Sequence, residues 1–210
     1  MLIHQVNLSK KAVNMSMEDK ARWNVKHAQN MMPQEPVALV EKYAYLATDK
    51  YALDIACGNG RHSRYLAAHG FEVDALDISS VAIERLQDLE HINAMEVDFD
   101  TYTLPKEKYG LIVCTYFLER KLFPQMIEAL KPNGIILMET FLHDEENERT
   151  PSNPAFRLYS GELEAYFDHE MDILHIVEFW DRDYQGFKTM KTSMVARKKS
   201  GGISDEEFWA

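Results

Sequence analysis

Cysteine is nearly missing from this chain. Its 210 residues contain two, Cys57 and Cys114, too few for a disulfide framework and without the ligand spacing of a zinc site. No apolar run approaches the roughly 20 residues that a membrane helix needs, and Met1 to Lys11 lacks an apolar signal core. Positive charge is scarce: 23 Lys and Arg face 34 Asp and Glu, a formal net charge of −11, and no basic cluster exceeds the short Arg197-Lys198-Lys199. A nucleic acid would meet a repulsive surface. These absences predict a protein of the reducing cytoplasm that works on a small molecule, with no nucleic acid or membrane partner and no metal. The length suits one domain with a sizeable core, and the oligomeric state is unspecified.

What the chain does have is concentrated in Leu53-Asp54-Ile55-Ala56-Cys57-Gly58-Asn59-Gly60-Arg61-His62, an apolar strand running into a two-glycine turn that opens a helix. Without a Cβ, Gly58 and Gly60 can take backbone angles closed to other residues and let a ligand lie against the main chain. The helix that follows aims unpaired N–H groups at that ligand. The spacing Gly58-x-Gly60-x-x-Ser63 nearly satisfies a dinucleotide fingerprint, so glycine spacing alone does not separate NAD from other nucleoside cofactors.

Three acids narrow the choice. Asp54 stands in the strand before the turn, where a pyrophosphate would gain nothing from a negative charge and a cationic ligand would. Asp77 ends the next apolar strand (Phe71, Val73, Ala75, Leu76), where an acid about twenty residues past the turn can accept from both ribose hydroxyls of NAD or S-adenosylmethionine. Asp98 and Phe99 end a third strand, a pair able to accept from an adenine amino group and cover its face.

Apolar periodicity predicts alternating elements: a helix from about Val37 to Leu46, strand 51–56, helix 61–69, strand 71–76, helix 80–90, strands 93–97 and 109–115, helix 119–130 and strand 134–141. Such alternation means a parallel sheet covered on both faces. Lys131-Pro132-Asn133-Gly134 reads as a turn, and the charged stretch from His143 to Pro151 as a long loop. A short helix at 161–167 and two strands, 172–182 and 187–197, turning near Tyr184-Gln185-Gly186, complete the reading. Residues 1–48 are expected to form helical cover, 49–199 the cofactor domain and 200–210 a loose acidic tail.

DIACGNGRHSRYLAAHGFEVDALDIS and VDFD resemble the glycine-loop, ribose and adenine motifs of class I S-adenosylmethionine-dependent methyltransferases. GNGR, YFLER, LKPNGIILMETF, NPAFRLYSGEL and MVARK resemble the branch that includes tellurite-resistance methyltransferases. Ala56 stands where the family pattern has a glycine. The resemblance implies a Rossmann-like α/β three-layer sandwich with a mostly parallel seven-stranded sheet and a C-terminal antiparallel hairpin. It also implies S-adenosyl-L-methionine as methyl donor, S-adenosyl-L-homocysteine as product, and transfer to a thiol, metalloid oxyanion or other soft acceptor. Asp54 and the turn Ala56, Cys57, Gly58, Asn59 and Gly60 would then hold the methionine end, Asp77 and Ile78 the ribose, and Asp98 and Phe99 the adenine. Cys114 and Thr115 would pass beside the methyl-bearing sulfur, and Trp23 would close over the cofactor. Tyr116, Arg120, Phe141 and Arg157 are candidates for the acceptor side, although Phe141 equally suits the core and Arg120 a nearby carboxylate. No residue stands out as an acid or base, which keeps open a protein that binds the adenosyl ligand without turnover. A nicotinamide oxidoreductase is the weaker alternative.

Overall fold

A computed structural model describes residues 17–29, 32–183 and 185–200. Seven strands form one sheet: β1 (Tyr51–Ile55), β2 (Glu72–Asp77), β3 (Ile92–Glu96), β4 (Tyr109–Thr115), β5 (Leu130–Phe141), β6 (Met171–Arg182) and β7 (Lys188–Lys198). Their order is β3-β2-β1-β4-β5-β7-β6, with β1 to β5 parallel and β7 antiparallel to both β5 and β6. This is the Rossmann-like sandwich with its C-terminal hairpin. The helices are α1 (Met17–Ala28), α2 (Ala38–Tyr43), α3 (Arg61–Ala68), α4 (Ser80–Glu84), α5 (Phe123–Ala129) and α6 (Glu162–Phe167). None of the described helices is long and apolar enough to cross a membrane.

Side chains alternate across the strands, so each central strand feeds two cores. Leu53, Ile55, Ile112, Cys114, Ile136 and Met138 pack with Phe123, Met126, Ile127 and Phe167 on the α5 and α6 face. Ala52, Leu111, Val113, Ile135 and Leu137 pack with Val40, Leu66 and Phe71 on the α2 and α3 face. Strand order reverses between β1 and β4, and in open parallel sheets ligands bind beyond the carboxyl ends of the strands at that switch point.

Several boundaries differ from expectation. The helix expected over 80–90 ends at Glu84, where the winding tightens: the Arg85 and Leu86 N–H groups donate three residues back, to Ala82 and Ile83, and φ of 64° at Asp88 then keeps the helix from resuming. The segment 119–130 divides into a 3-10 turn, Arg120–Leu122, and α5. Lys131 to Gly134 forms no separate turn but an outward bulge in β5, whose pairing with β4 passes from Leu130 directly to Ile135, with Asn133 at φ 63°. The charged stretch after Phe141 is pinned: Asn147 donates to the carbonyls of Leu142 and Asp144 and accepts the Met190 N–H at 2.6 Å. Tyr184, residues 201–210 of the expected tail, and the chain before Met17 lie outside the described residues.

Candidate functional site

The glycine turn follows from the end of β1. Ala56, Gly58 and Gly60 all have positive φ, at 54°, 55° and 78°. Hydrogen bonds from Cys57 N–H to Leu76 O and from Gly60 N–H to Cys57 O, each 2.9 Å, tie the turn to β2 and close it. A side chain at Gly58 would press on the His27 ring at 3.1 Å, and one at Gly60 would run into Leu86 at 2.3 Å. Both glycines are therefore favoured by backbone angle, and a Cβ at either would also force a neighbouring side chain to move. The positive φ of Ala56 gives a physical reason for glycine at this place in the resembling family.

Asp77, at the end of β2, meets the turn directly. Its carboxylate accepts the Gly58 N–H and the Ser79 N–H, each at 2.8 Å. Burial raises its pKa, opposed by these two N–H groups and by His27. Ser79 Oγ accepts the Ala82 N–H to cap α4 and donates to Asn24 Oδ1 at 2.7 Å, which fastens α1 beside the same corner. About one helical turn apart on α1, Trp23 and His27 stack with ring centroids 5.8 Å from each other.

These groups line a cavity of about 640 Å³ over the carboxyl ends of β1, β2 and β4. Ala56, Cys57, Gly58, Asn59, Asp77, Ile78, Phe99 and Thr115 form its floor, Trp23 and His27 one wall, and Tyr116 and Phe141 another. Two buried atoms of this lining, His27 Nδ1 and Asn59 Nδ2, have no hydrogen-bond partner. Buried polar atoms are nearly always satisfied, so these two stand out among the residues of the cavity.

Other sequence candidates lie apart from the cavity. Strand alternation turns Asp54 toward α3, beneath the turn, where it is 1% exposed and accepts from Ser63 Oγ at 2.6 Å. Burial raises its pKa from an ordinary 3.8 to about 7, and neighbouring His62 is pushed down to about 3, also by burial. Gly60 opens α3 without lining the cavity. Asp98 accepts the Asp100 N–H at 2.8 Å in a tight turn beside Phe99. Cys114 faces the α5 core, its thiol pushed up to about 12 by burial, which leaves it without nucleophilic character. Arg120 makes a two-nitrogen contact with Glu162 and donates to the carbonyls of Ala155 and Arg157 at 2.8 and 3.0 Å, so it ties a loop to α6 instead of facing the cavity. Arg157 Nη1 donates to Thr150 Oγ1 at 3.3 Å, also outside the lining.

The wall formed by Tyr116 and Phe141 joins these two sequence candidates to groups that sequence reasoning missed. Tyr116, at φ 56°, donates its hydroxyl to Glu139 Oε1 at 2.6 Å. The tyrosine pKa is raised by burial and by Glu139, and that of Glu139 by burial. Arg61 and Lys191 each approach the Tyr116 ring, at 5.5 and 5.2 Å from its centroid. Arg61 directly follows the glycine turn. Lys191 interrupts a strand of Thr and apolar residues, a signal legible as a charge inside a buried strand. His27 falls one turn after Trp23, a helical spacing that could have paired them.

Comparison with known proteins agrees with this geometry. The H. influenzae protein named as a probable S-adenosyl-L-methionine-dependent methyltransferase, TehB, is 26% identical over 166 residues, covering 70% of this chain and 57% of TehB. The crystal structure of TehB from Haemophilus influenzae superposes with a TM-score of 0.64 at 25% identity, over 77% of this chain and 61% of that one. A ubiquinone biosynthesis O-methyltransferase of Rickettsia canadensis is 28% identical over 97 residues, covering 42% of this chain, and the chain spans 41% of that relative's length. A Methanosarcina mazei structure described as a SAM-dependent methyltransferase shares the fold, with a TM-score of 0.60 at 18% identity over 79% of this chain and 99% of that one. The model of the methyltransferase domain family matches residues 27–175, and the chain belongs to that family.

Proposed function

We propose that this protein is an S-adenosyl-L-methionine-dependent methyltransferase acting on a small molecule. The observation that carries the reading is the meeting of the glycine turn, the Asp77 carboxylate and two orphaned buried polar atoms at one cavity. In this reading Ala56, Cys57, Gly58 and Asn59 lie along the methionine end, Asp77 and Ile78 hold the ribose, and Phe99 covers the adenine with Asp98 near its edge. Thr115 flanks the transferring methyl, and Trp23 with His27 closes over the cofactor. Asp54 and Gly60 contribute by holding the turn and the start of α3, and Cys114 by packing under Thr115. A single catalytic unit over 49–199, with helical cover before it, suits this division of labour. Two free buried cysteines and a net charge of −11 favour a cytoplasmic setting and a small acceptor over a nucleic acid.

When bound, the sulfonium donor supplies a methyl whose S–C bond breaks as the acceptor atom bonds to carbon, the electron pair staying on sulfur to leave a neutral thioether. The chain's own contribution is alignment and exclusion of water, which can supply roughly 7–11 kcal/mol of the barrier when reactants are held in near-attack geometry. Tyr116 and Glu139 form the hydrogen-bonded pair beside the acceptor wall, suited to orient a nucleophile. The reading is tested by incubating the protein with the donor and a panel of small thiols, phenols, carboxylates and oxyanions, with mass spectrometry for a product heavier by one methylene unit. One methylated product supports it. Binding of S-adenosylhomocysteine without any product over the panel would turn the assignment toward a binding protein.

A further inference from the structure

The charge lining the cavity opposes the charge of the chain. Five Lys or Arg side chains line it, Lys26, Arg61, Arg149, Arg182 and Lys191, against two carboxylates, Asp77 and Asp183, in a protein with eleven more acids than bases. Four of the five have no ion-pair partner among the described residues, and only Lys191 is paired, with Asp181 at 2.7 Å. With acids in such excess, unpaired cations gathered at one cavity need a reason. The five also form two tiers. Lys26, Arg149 and Arg182 are exposed at the mouth, whereas Arg61 is partly buried and Lys191 is 4% exposed. The inner two approach the ring of Tyr116, which packs on Phe141 with centroids 5.3 Å apart. The carboxylates near this inner pair are already engaged: Asp181 holds Lys191, Glu139 accepts from Tyr116, and Asp54, which also attracts Arg61, accepts from Ser63; neither Glu139 nor Asp54 lines the cavity.

We infer that the acceptor is an organic anion with a flat apolar body, its negative group held by Arg61 and its body lying against Tyr116, Phe117 and Phe141. The inference rests on the methyltransferase reading and assigns the substrate class of the same cavity. A partly desolvated guanidinium engaged in no ion pair is a strong site for a carboxylate, because it presents paired N–H donors in a fixed fork. The exposed cations at the mouth would draw an anion inward against the repulsion of the acidic surface. An aromatic wall adds nothing for a bare inorganic oxyanion, which favours an organic one.

The test is isothermal titration of protein saturated with S-adenosylhomocysteine, using benzoate, benzamide and sulfate as probes, on the native chain and on Arg61→Gln and Arg149→Gln. Benzoate and benzamide match in size and planarity and differ in charge. The inference expects benzoate to bind at least tenfold more tightly than benzamide or sulfate. It expects Arg61→Gln to remove that preference, and Arg149→Gln to weaken benzoate two- to threefold in a manner lost at high salt. Equal binding of benzoate and benzamide, preference for sulfate, or binding of none of the three by saturated protein would overturn it. Loss of S-adenosylhomocysteine affinity in Arg61→Gln with 5′-methylthioadenosine affinity unchanged would assign Arg61 to the cofactor's own carboxylate, and would also overturn it. Failure of the native chain to bind S-adenosylhomocysteine removes the cofactor reading itself, and this inference with it.

Discussion

Replacing Asp54 by asparagine should make the protein more stable at alkaline pH, and by an amount that depends on pH. Asp54 is buried under the glycine turn and accepts one strong hydrogen bond from Ser63, which an amide oxygen can also accept. Its pKa is raised from 3.8 to about 7 by desolvation. The folded-state value lies above the unfolded one, so the native protein holds a proton that the unfolded chain has released between about pH 4 and pH 7. Stability is therefore fully present below the unfolded pKa and falls as pH rises through the folded one. A difference of about three pH units corresponds to a full penalty of about 4 kcal/mol at high pH, of which about 1–1.5 kcal/mol accrues between pH 6 and pH 8.5. For a chain of this size that increment is worth about 3–5 °C in Tm. Thermal melts of both proteins at pH 6 and pH 8.5, above the isoelectric point near 5.2, read it directly. The stability of the Asp54→Asn variant relative to the native chain should grow by that amount across the interval. A difference that is flat with pH, or that shrinks toward pH 8.5, would refute the description of Asp54 as a desolvated carboxyl.

Other substitutions separate the turn from its surroundings. Ala56→Gly should raise stability by about 1 kcal/mol, since φ 54° costs an alanine about that much, and the melting temperature reports it. Gly60→Ala should lower stability by about 1–3 kcal/mol, because its Cβ would meet Leu86 at 2.3 Å in a left-handed backbone; an unchanged melt would show that the helix start can shift. Arg120→Ala should cost about 1–3 kcal/mol through loss of Glu162 and two carbonyl contacts while leaving acceptor KM unchanged; a raised KM with unaltered stability would return Arg120 to the acceptor site.

How far the sequence disclosed this architecture depended on the kind of signal. Strands β1, β2 and β4 are short apolar runs closed by a turn or an acid, and their placement was legible within a residue or two. The glycine turn was legible because Gly58 and Gly60 are demanded by backbone angle, a local property. The early end of α4 was hidden, since no Gly or Pro stands between Ser80 and His91 to mark it. The β5 bulge was masked for a related reason: Pro132 and Gly134 signal a turn, and pairing with β4 keeps the strand going past it. Within the cavity, Asp77 and Phe99 could be anticipated from their position after strands. Arg61, His27 and Lys191 left only local signals, and their meeting was not legible, because they converge from α3, α1 and β7, separated by up to 164 residues of sequence. Arg120 illustrates the converse, an arginine in the right stretch of sequence that the fold spends on Glu162.

The central claim is that the cavity at the glycine turn holds an adenosyl cofactor through Asp77, and calorimetric titration with S-adenosylhomocysteine beside NADH tests it most directly. The account predicts micromolar binding of S-adenosylhomocysteine, no comparable binding of NADH, and a loss of about 10- to 150-fold in Asp77→Ala, as expected when charge-assisted hydrogen bonds worth about 1.5–3 kcal/mol are removed. Binding that Asp77→Ala leaves intact, tighter binding of NADH, or binding of neither would contradict it.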